Sequence, residues 1–219
     1  MSTNKISIIP TADGSSTIIN ELFGQTYHSV NGAFSESLYV FIKNGFRKFS
    51  QNKISIFELG FGTGLNSALT CLEAINSKIY VDYFTIEKFP VDIETIKKMN
   101  FEVQIKQILV LIAQTSWNEL VSVNDFFKIK KINDDFLTYK FEKKHDLVYF
   151  DAFSYDICPQ LWTSDIFIKI YNNLNKNGTL VTYSSKGIVK ENLRKAGFEV
   201  KRIPGFKKHH MLIAKKNNL

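Results

Sequence analysis

The sequence predicts an α/β domain with a doubly wound, mostly parallel sheet. From residue 54 onward, short apolar runs alternate with helical stretches, which is typical of βαβ units. A glycine-rich turn follows the first of these runs, and two short runs near the C-terminus predict an antiparallel edge. The 219 residues contain no repeat and no linker-like stretch. We therefore expect one domain over 1–219, with a small N-terminal extension (1–50) on a core of 51–219.

Hydrophobic periodicity gives the order of the elements. After a polar N-terminal segment with the turn signal Asp13-Gly14, a helix is expected over about 34–48. The core is predicted to have strands at 54–59, 79–87, 126–132, 147–151 and 178–183, and helices at 65–76, 91–99, 109–120, 164–174 and 189–196. The runs 198–203 and 211–214 are expected to close the sheet as a hairpin-like pair.

The composition of the chain indicates which classes of binding partner to expect. The formal charge is +7, with 28 basic and 21 acidic residues, and a positive surplus favours a polyanion such as nucleic acid. Basic residues concentrate between Lys186 and Lys215, which fits a binding surface and equally a solvated face with a frayed tail. Cys71 and Cys158 form no metal-like cluster, and no signal peptide or long apolar run is present. We expect a cytoplasmic protein with free thiols, no metal and no membrane association.

The strongest local signal is the turn Glu58-Leu59-Gly60-Phe61-Gly62-Thr63-Gly64-Leu65-Asn66. Glycines after a strand let the backbone turn sharply and approach a ligand closely. The spacing G-x-G-x-G departs from the dinucleotide fingerprint G-x-G-x-x-G, and Glu58 would repel a pyrophosphate, which disfavours a nicotinamide oxidoreductase. S-adenosylmethionine carries an ammonium and a sulfonium and no phosphate. The turn therefore favours a Rossmann-like S-adenosylmethionine site, the alternative being a glycine-rich turn without a ligand.

Further carboxylates follow later strands. Glu87 ends the second core strand, where a doubly wound fold places the acid that binds both ribose hydroxyls. Its alternative role is a helix cap or a surface charge. Asp135 follows the third-strand region and could contact the adenine amino group, and the neighbouring Asp134 could serve equally.

Asp151 is the predicted catalytic residue. It closes the strand at 147–151, at the sheet edge where ligands bind in open α/β folds, and Phe153 follows it. A carboxylate followed by an aromatic resembles the Asp-Pro-Pro-Tyr arrangement of amino-group methyltransferases. A fixed acceptor beside a reacting amine orients its lone pair and stabilises the ammonium that develops. The alternative is that Asp151 only caps the next helix.

Six blocks of sequence together resemble the tRNA 5-methylaminomethyl-2-thiouridine methyltransferase family. This family comprises the methyltransferase half of the bifunctional protein MnmC and the stand-alone enzyme MnmD. The blocks occur in the family's order within about 26–214, at 27–33 with Glu36-Ser37, and at 58–66, 86–90, 150–153, 159–163 and 182–187. Departures are Tyr39 in place of a His, Cys158-Pro159-Gln160-Leu161-Trp162 in place of Asn-Pro before a Met-Trp pair, and an altered basic element at 205–211.

The resemblance implies methylation of the aminomethyl group of 5-aminomethyl-2-thiouridine at the wobble position of tRNA. It implies that Asp151 faces the substrate amine, with Phe153 over the base, and that the N-terminal extension covers the active site. The implied cofactor residues are Glu58, Gly60, Asn66 and Glu87, and Gly62, Gly64 and Asp135 complete the expected cofactor site on the positional grounds given above. The implied substrate residues are Tyr27, His28, Glu36, Phe153 and, against the RNA backbone, Lys207 and Lys208. For His28, a purely structural hydrogen bond is an equal alternative.

Two other functions remain open from the residues. One is a class I methyltransferase acting on a small molecule or a protein amine, and the other is a tRNA-binding relative without activity. The sequence holds no second dinucleotide fingerprint. We therefore expect a monofunctional enzyme that lacks the FAD-dependent oxidoreductase activity of the bifunctional relative. The tRNAs used and the oligomeric state stay open.

Overall fold

The computed structural model describes residues 6–20, 24–207 and 209–217, and its centre is an eight-stranded sheet. The strands are β4 (Lys53–Leu59), β5 (Tyr80–Glu87), β6 (Leu120–Asn124), β7 (Phe127–Asn133), β8 (His145–Phe150), β9 (Leu174–Thr182), β10 (Phe198–Pro204) and β11 (His210–Lys216). Their order is β10-β11-β9-β8-β4-β5-β7-β6. From β9 to β7 all neighbours are parallel, while β11, β10 and β6 join antiparallel at the two edges. The predicted doubly wound sheet with an antiparallel C-terminal edge is confirmed.

Helices cover both faces of this sheet. They are α2 (Leu65–Ser77), α3 (Ile93–Lys98), α4 (Val103–Gln114), α5 (Ser164–Asn172) and α6 (Gly187–Lys195). Side chains alternate across each strand, so Ile56 of β4 packs in one core cluster with α2, α3 and α4. Its neighbour Phe57 packs in a second cluster with α5 and α6. Within the described ranges, no helix is both long enough and apolar enough to span a membrane.

The N-terminal segment forms a small sheet that the sequence did not indicate. Strands β1 (Ile6–Pro10), β2 (Ser16–Asn20) and β3 (Gln25–Thr26) pair antiparallel in that order. Asp13, in the turn between β1 and β2, accepts hydrogen bonds from Ser15 N at 3.1 Å and from Ser35 N at 2.8 Å. Ser35 lies in the short helix α1 (Ala33–Ser37), so this turn fixes the position of α1.

Two predicted helices are wrong in extent. The stretch 34–48 is divided into α1, a π-helical turn (Leu38–Lys43) and a 3₁₀ turn (Phe46–Lys48). It divides at Gly45, where a Cβ would lie 2.3 Å from the carbonyl oxygen of Phe41. The predicted helix 109–120 is α4, which ends at Gln114, followed by the edge strand β6. Between them Asn118 adopts a left-handed φ of 65°, which no continuing helix accommodates.

Candidate active site

A cavity of about 610 Å³ opens at the carboxyl ends of the parallel strands. It lies where β4 and β8 are neighbours and their following helices pass to opposite faces of the sheet, the usual ligand position in open α/β folds. Its volume is typical of a site for a small-molecule ligand. The wall is built from the N-terminal segment, the ends of β4, β5 and β8, and the C-terminal edge.

The glycine-rich turn between β4 and α2 forms one side of this cavity. Gly60, Gly62 and Gly64 have φ values of 95°, 54° and 85°, a region that favours glycine. A Cβ at Gly60 would lie 2.6 Å from the carbonyl oxygen of Asp151, so the turn and the end of β8 pack backbone to backbone. Gly60 and Gly62 reach the cavity wall, whereas Gly64 is not among the wall residues and precedes the first residue of α2.

Glu87 lies at the cavity wall at the end of β5. Its carboxylate accepts hydrogen bonds from Gly62 N at 3.0 Å and from Phe89 N at 2.9 Å. Burial raises the pKa of Glu87, and these backbone donors act against that rise. Each carboxylate oxygen keeps a further lone pair, so the group can still accept hydrogen bonds from a diol. The ribose role of Glu87 stays a prediction.

Asp134 and Asp135 lie together at the same end of the cavity. Asp135 accepts from Lys88 Nζ at 2.8 Å and from Leu137 N at 2.9 Å, and the Lys88 hydrogen bond holds the pKa of Asp135 below its ordinary value. Asp134 accepts from Asp135 N at 2.7 Å. Both carboxylates line the cavity, and the adenine contact of either one stays a prediction.

Asp151 follows β8 directly. Its backbone N–H donates to Leu59 O at 3.0 Å, and its Oδ2 accepts from Asn66 Nδ2 at 2.7 Å. Burial raises its pKa to about 7, with the Asn66 hydrogen bond opposing the rise and nearby Glu36 adding to it. The side chain lines the cavity, so a proton-accepting carboxylate faces the ligand space.

The position of Glu58 differs from the one we expected. Its side chain is 0% exposed, and neither Glu58 nor Asn66 is among the cavity wall residues. Glu58 accepts from Asn66 Nδ2 at 3.0 Å and from Thr85 Oγ1 at 2.7 Å. Glu58 lies on the same face of β4 as Ile54 and Ile56, under α2, and this alternation turns its side chain away from the ligand space.

The N-terminal segment contributes Tyr27, His28 and Glu36 to the wall. The ring of Tyr27 packs edge-on against Phe153, with ring centroids 5.0 Å apart. A Cβ added at Gly62 would lie 3.1 Å from Cδ1 of Tyr27, so the ring also packs against this glycine. His28 Nε2 lies 3.1 Å from Thr63 Oγ1, and burial lowers the pKa of His28 to about 4. Burial raises the pKa of Glu36 to about 6. The N-terminal extension, the glycine-rich turn and the loop after Asp151 thus surround the same cavity.

The loop after β9 and the turn before β11 also supply wall residues. Tyr183, Ser184, Ser185, Lys186, His209 and His210 all line the cavity. The first four belong to the block 182–187 of the sequence resemblance. His209 and His210 were visible only as part of a long basic stretch, because the register of β10 with β11 decides whether they turn inward. Lys207 is exposed, with a left-handed φ of 55°, and is not among the wall residues. Lys208 lies outside the described residues.

The wall chemistry fits a cationic nucleoside. Five acidic side chains line the wall (Glu36, Glu87, Asp134, Asp135 and Asp151), and Phe89 and Leu137 are 48% and 44% exposed at the end where Asp134 and Asp135 lie. Exposed apolar side chains beside acceptors can hold a flat heteroaromatic ring. Among the residues that the structure describes, no group of three or more His, Cys, Asp or Glu side chains could hold a metal ion.

Comparison with solved structures supports the same fold. The crystal structure of MNMC2 from Aquifex aeolicus is 28% identical, with a TM-score of 0.81, over 100% of this chain and 73% of that one. Spermidine synthase from Thermotoga maritima shares the fold, with a TM-score of 0.65 at 15% identity, over 99% of this chain and 71% of that one. The Rossmann-like class is therefore confirmed.

Named relatives are similar to this chain over most of its length. A protein of Leptospira interrogans named tRNA 5-methylaminomethyl-2-thiouridine biosynthesis bifunctional protein MnmC is 29% identical over 90% of this chain and 33% of its own length. The protein of that name in Campylobacter hominis is 30% identical over 86% of this chain and 29% of its own. The chain thus spans about a third of the length of these relatives. The resemblance seen in the sequence is confirmed.

A family model described as S-adenosyl-L-methionine-dependent methyltransferase matches residues 72–217, more than half of the chain. The preference for S-adenosylmethionine that the glycine spacing indicated is confirmed by this match. The chain belongs to this family of S-adenosyl-L-methionine-dependent methyltransferases.

Proposed function

We propose that the protein methylates the aminomethyl group of 5-aminomethyl-2-thiouridine at the wobble position of tRNA, giving the 5-methylaminomethyl form. The observation that supports this proposal most directly is the position of Asp151, a carboxylate at the cavity wall beside the glycine turn. Glu36 lies near enough to affect the pKa of Asp151. Two carboxylates in one partly buried space recognise an amine. The names of the relatives supply the identity of that amine.

Bound S-adenosylmethionine supplies an electrophilic methyl group. Asp151 accepts a hydrogen bond from the substrate amine, directs its lone pair and stabilises the positive charge that develops on nitrogen. A protonated amine cannot attack, so a proton must first leave it. Glu36, whose pKa is raised to about 6 by burial, can accept that proton near neutral pH and leaves the charge on Asp151 in place. Phe153, packed against Tyr27, offers an aromatic face to the base.

A basic rim around an acidic interior supports an RNA substrate. Lys88, Lys186, His209 and His210 lie at the cavity wall, and Lys207 is exposed close to them in sequence. Lys186 is paired with Asp156, and His210 Nδ1 lies 2.9 Å from Arg202 Nη2. Cations at the rim can hold phosphates while the carboxylates inside hold the amine. Lys207 and Lys208 retain their proposed role at the RNA backbone.

The arrangement also supports a role for the N-terminal extension as a cover. Ser154 Oγ donates to Gln25 Oε1 at 3.2 Å, and Tyr27 packs on Phe153, so β3 contacts the loop that follows Asp151. We therefore propose that 1–50 and 51–219 act as one methyltransferase unit, with the extension over the acceptor. A tRNA substrate implies work in the cytoplasm.

A methyltransferase for a small amine is the second candidate, because Glu36 and Asp151 would also accept one. Purified protein should be incubated with S-adenosylmethionine and tRNA carrying 5-aminomethyl-2-thiouridine, with the free nucleoside assayed in parallel. We expect methylation of the tRNA, and binding that weakens steeply as salt rises. Nucleoside analysis of tRNA from a strain lacking the gene should show the aminomethyl form accumulating. Equal turnover of the free nucleoside, or unchanged tRNA in that strain, contradicts the proposal.

A further inference from the structure

Glu58 is a fully buried carboxyl with both oxygens engaged. Oε1 accepts from Asn66 Nδ2 at 3.0 Å and Oε2 accepts from Thr85 Oγ1 at 2.7 Å. Among the described residues, no cation forms an ion pair with it. A buried carboxyl without a cation favours its neutral form, because the charge would lose its hydration without compensation.

Asn66 connects this carboxyl to the cavity. The same Nδ2 that donates to Glu58 also donates to Asp151 Oδ2 at 2.7 Å. Asn66 Oδ1 is buried and has no hydrogen-bond partner in the described part of the chain. Turning the amide over would bring Oδ1 against the Asp151 oxygen. The two carboxyls therefore decide how the amide is oriented.

The charge states follow from these surroundings. Burial and the nearby Asp151 raise the pKa of Glu58 to about 8, and burial raises the pKa of Asp151 to about 7. Asp151 faces the cavity whereas Glu58 is fully enclosed, so Asp151 is the carboxyl of the pair that carries the charge more readily. Asp151 then carries the single negative charge that Asn66 contacts, and this charge is at the wall.

We propose that Glu58 is a positioning residue: in its neutral form it orients Asn66, Asn66 orients Asp151, and Glu58 contacts neither the cofactor nor the acceptor. This differs from the direct cofactor contact that the strand-end carboxylate suggested in the sequence. The proposal needs only the methyltransferase activity of the family, and it rests on the proposed function solely where tRNA serves as the assay substrate.

Glu58→Gln and Glu58→Leu separate the two roles. In neutral Glu58 the protonated Oε2 donates to Thr85 Oγ1, which reverses the direction of the hydrogen bond that the carboxylate accepts from Thr85. Glutamine mimics this neutral acid with an acceptor for Asn66 and a donor for Thr85, whereas leucine fills the space without an acceptor. We expect Glu58→Leu to lower kcat by about tenfold or more and Glu58→Gln to recover most of that loss. S-adenosylmethionine affinity should stay within about twofold in both variants. Ser55→Ala, which removes a buried partner of His145 elsewhere on β4, is the control for general strand perturbation.

A double-mutant cycle tests whether Glu58 acts through Asn66. Asn66→Ala should lower kcat about as much as Glu58→Leu, and the double variant should be no slower than either, because both changes break one connection. Additive losses would overturn the proposal. If Glu58→Leu does not fold, the cycle is run with Glu58→Gln, whose smaller loss should disappear in the Asn66→Ala background.

Two readouts do not depend on the acceptor. Infrared difference spectra at neutral pH should show the carbonyl stretch of a protonated carboxyl in wild type that is missing in Glu58→Gln, and its absence overturns the proposal. Calorimetric titration with S-adenosylmethionine is the second, and a tenfold or greater loss of affinity in Glu58→Gln would place Glu58 at the cofactor instead. If wild type fails to methylate the tRNA, the proposed function fails while these two measurements still decide the role of Glu58.

Discussion

Asn66 Nδ2 lies 2.7 Å from Oδ2 of Asp151, so a buried amide at the first turn of α2 holds the carboxylate that follows β8. The contact joins the two sides of the point at which the strand order reverses. The glycine-rich turn and Asp151 are also joined through their backbones, because Asp151 N donates a hydrogen bond of 3.0 Å to Leu59 O. The glycine turn and the Asp151 loop are therefore fixed to each other before a ligand enters.

Asp151→Asn should lower kcat by about 10²–10³, the range typical of removing one preorganised electrostatic partner. The variant keeps the shape and one acceptor oxygen but loses the charge that stabilises the developing ammonium. Cofactor affinity should change far less. Single-turnover methylation of aminomethyl-containing tRNA, run beside a cofactor titration, measures both. Turnover within about threefold of wild type, about 0.6 kcal/mol of barrier, would reduce Asp151 to a helix cap.

Glu36→Gln and Asn66→Ala should move the acidic limb of the pH–rate profile in opposite directions. Glu36 raises the pKa of Asp151, so its neutral replacement should shift the limb to lower pH. The Asn66 hydrogen bond lowers that pKa, so its loss should shift the limb to higher pH. Glu58 and Tyr183 also lie near Asp151 and are unchanged in both variants.

The substrate ammonium titrates alike in all three proteins, so the differences between single-turnover profiles report on the enzyme. Shifts of the same sign would show that the acidic limb does not belong to Asp151.

Glu87→Ala should weaken S-adenosylmethionine binding by about 1–3 kcal/mol, because a charged acceptor is lost and Gly62 N and Phe89 N lose their partner. Calorimetric titration gives the affinity, and Glu94→Ala on α3 serves as an exposed acidic control. A chelator should leave wild-type binding unchanged. Loss of binding on chelation would establish a metal requirement, and an unaltered affinity in Glu87→Ala would move the ribose site elsewhere.

Glu58→Gln should gain stability over wild type as pH rises from about 5 to about 8. The folded-state pKa of Glu58 is raised above its unfolded value, so its contribution is fully present below the unfolded pKa and is lost as pH rises through the folded one. The difference in unfolding free energy should grow by at most about 1.4 kcal/mol per pH unit. Urea unfolding of the two proteins measures this difference. The titration of His28 and His145 contributes equally to the stability of both proteins and therefore cancels. A difference that is independent of pH would mean that Glu58 is ionised in the folded protein.

The core could be predicted because its central strands are short, nearly continuous apolar runs, which are buried on both faces of the sheet, and its helices have an apolar face. The same pattern located Asp151, since a carboxylate directly after a buried strand must lie at the sheet edge. The N-terminal sheet was missed because its strands are only five, five and two residues long, and Asp13 and Ser15 stabilise its turn through side-chain hydrogen bonds.

The parts of the site that were not predicted from the sequence depend on the direction in which individual side chains point. Glu58 has the same parity as Ile54 and Ile56, and this was the one signal that could have indicated its burial under α2. No such signal exists for His209 and His210. Their inward position depends on the register of β10 with β11 and on the turn in which Gly205 N donates to His209 O at 2.8 Å.

The position of β11 has a consequence for biosynthesis. β11 lies between β9 and β10, although it follows both in the chain. While the nascent protein emerges, β9 therefore presents an open edge and β10 waits for its neighbour, until residues 210–216 are available to pair with both. His209 and His210 enter the wall only with that pairing. The cavity is thus completed only once residues 210–216 have paired with both strands, and a ribosome that stalls before residue 210 holds a chain with an unfinished cavity.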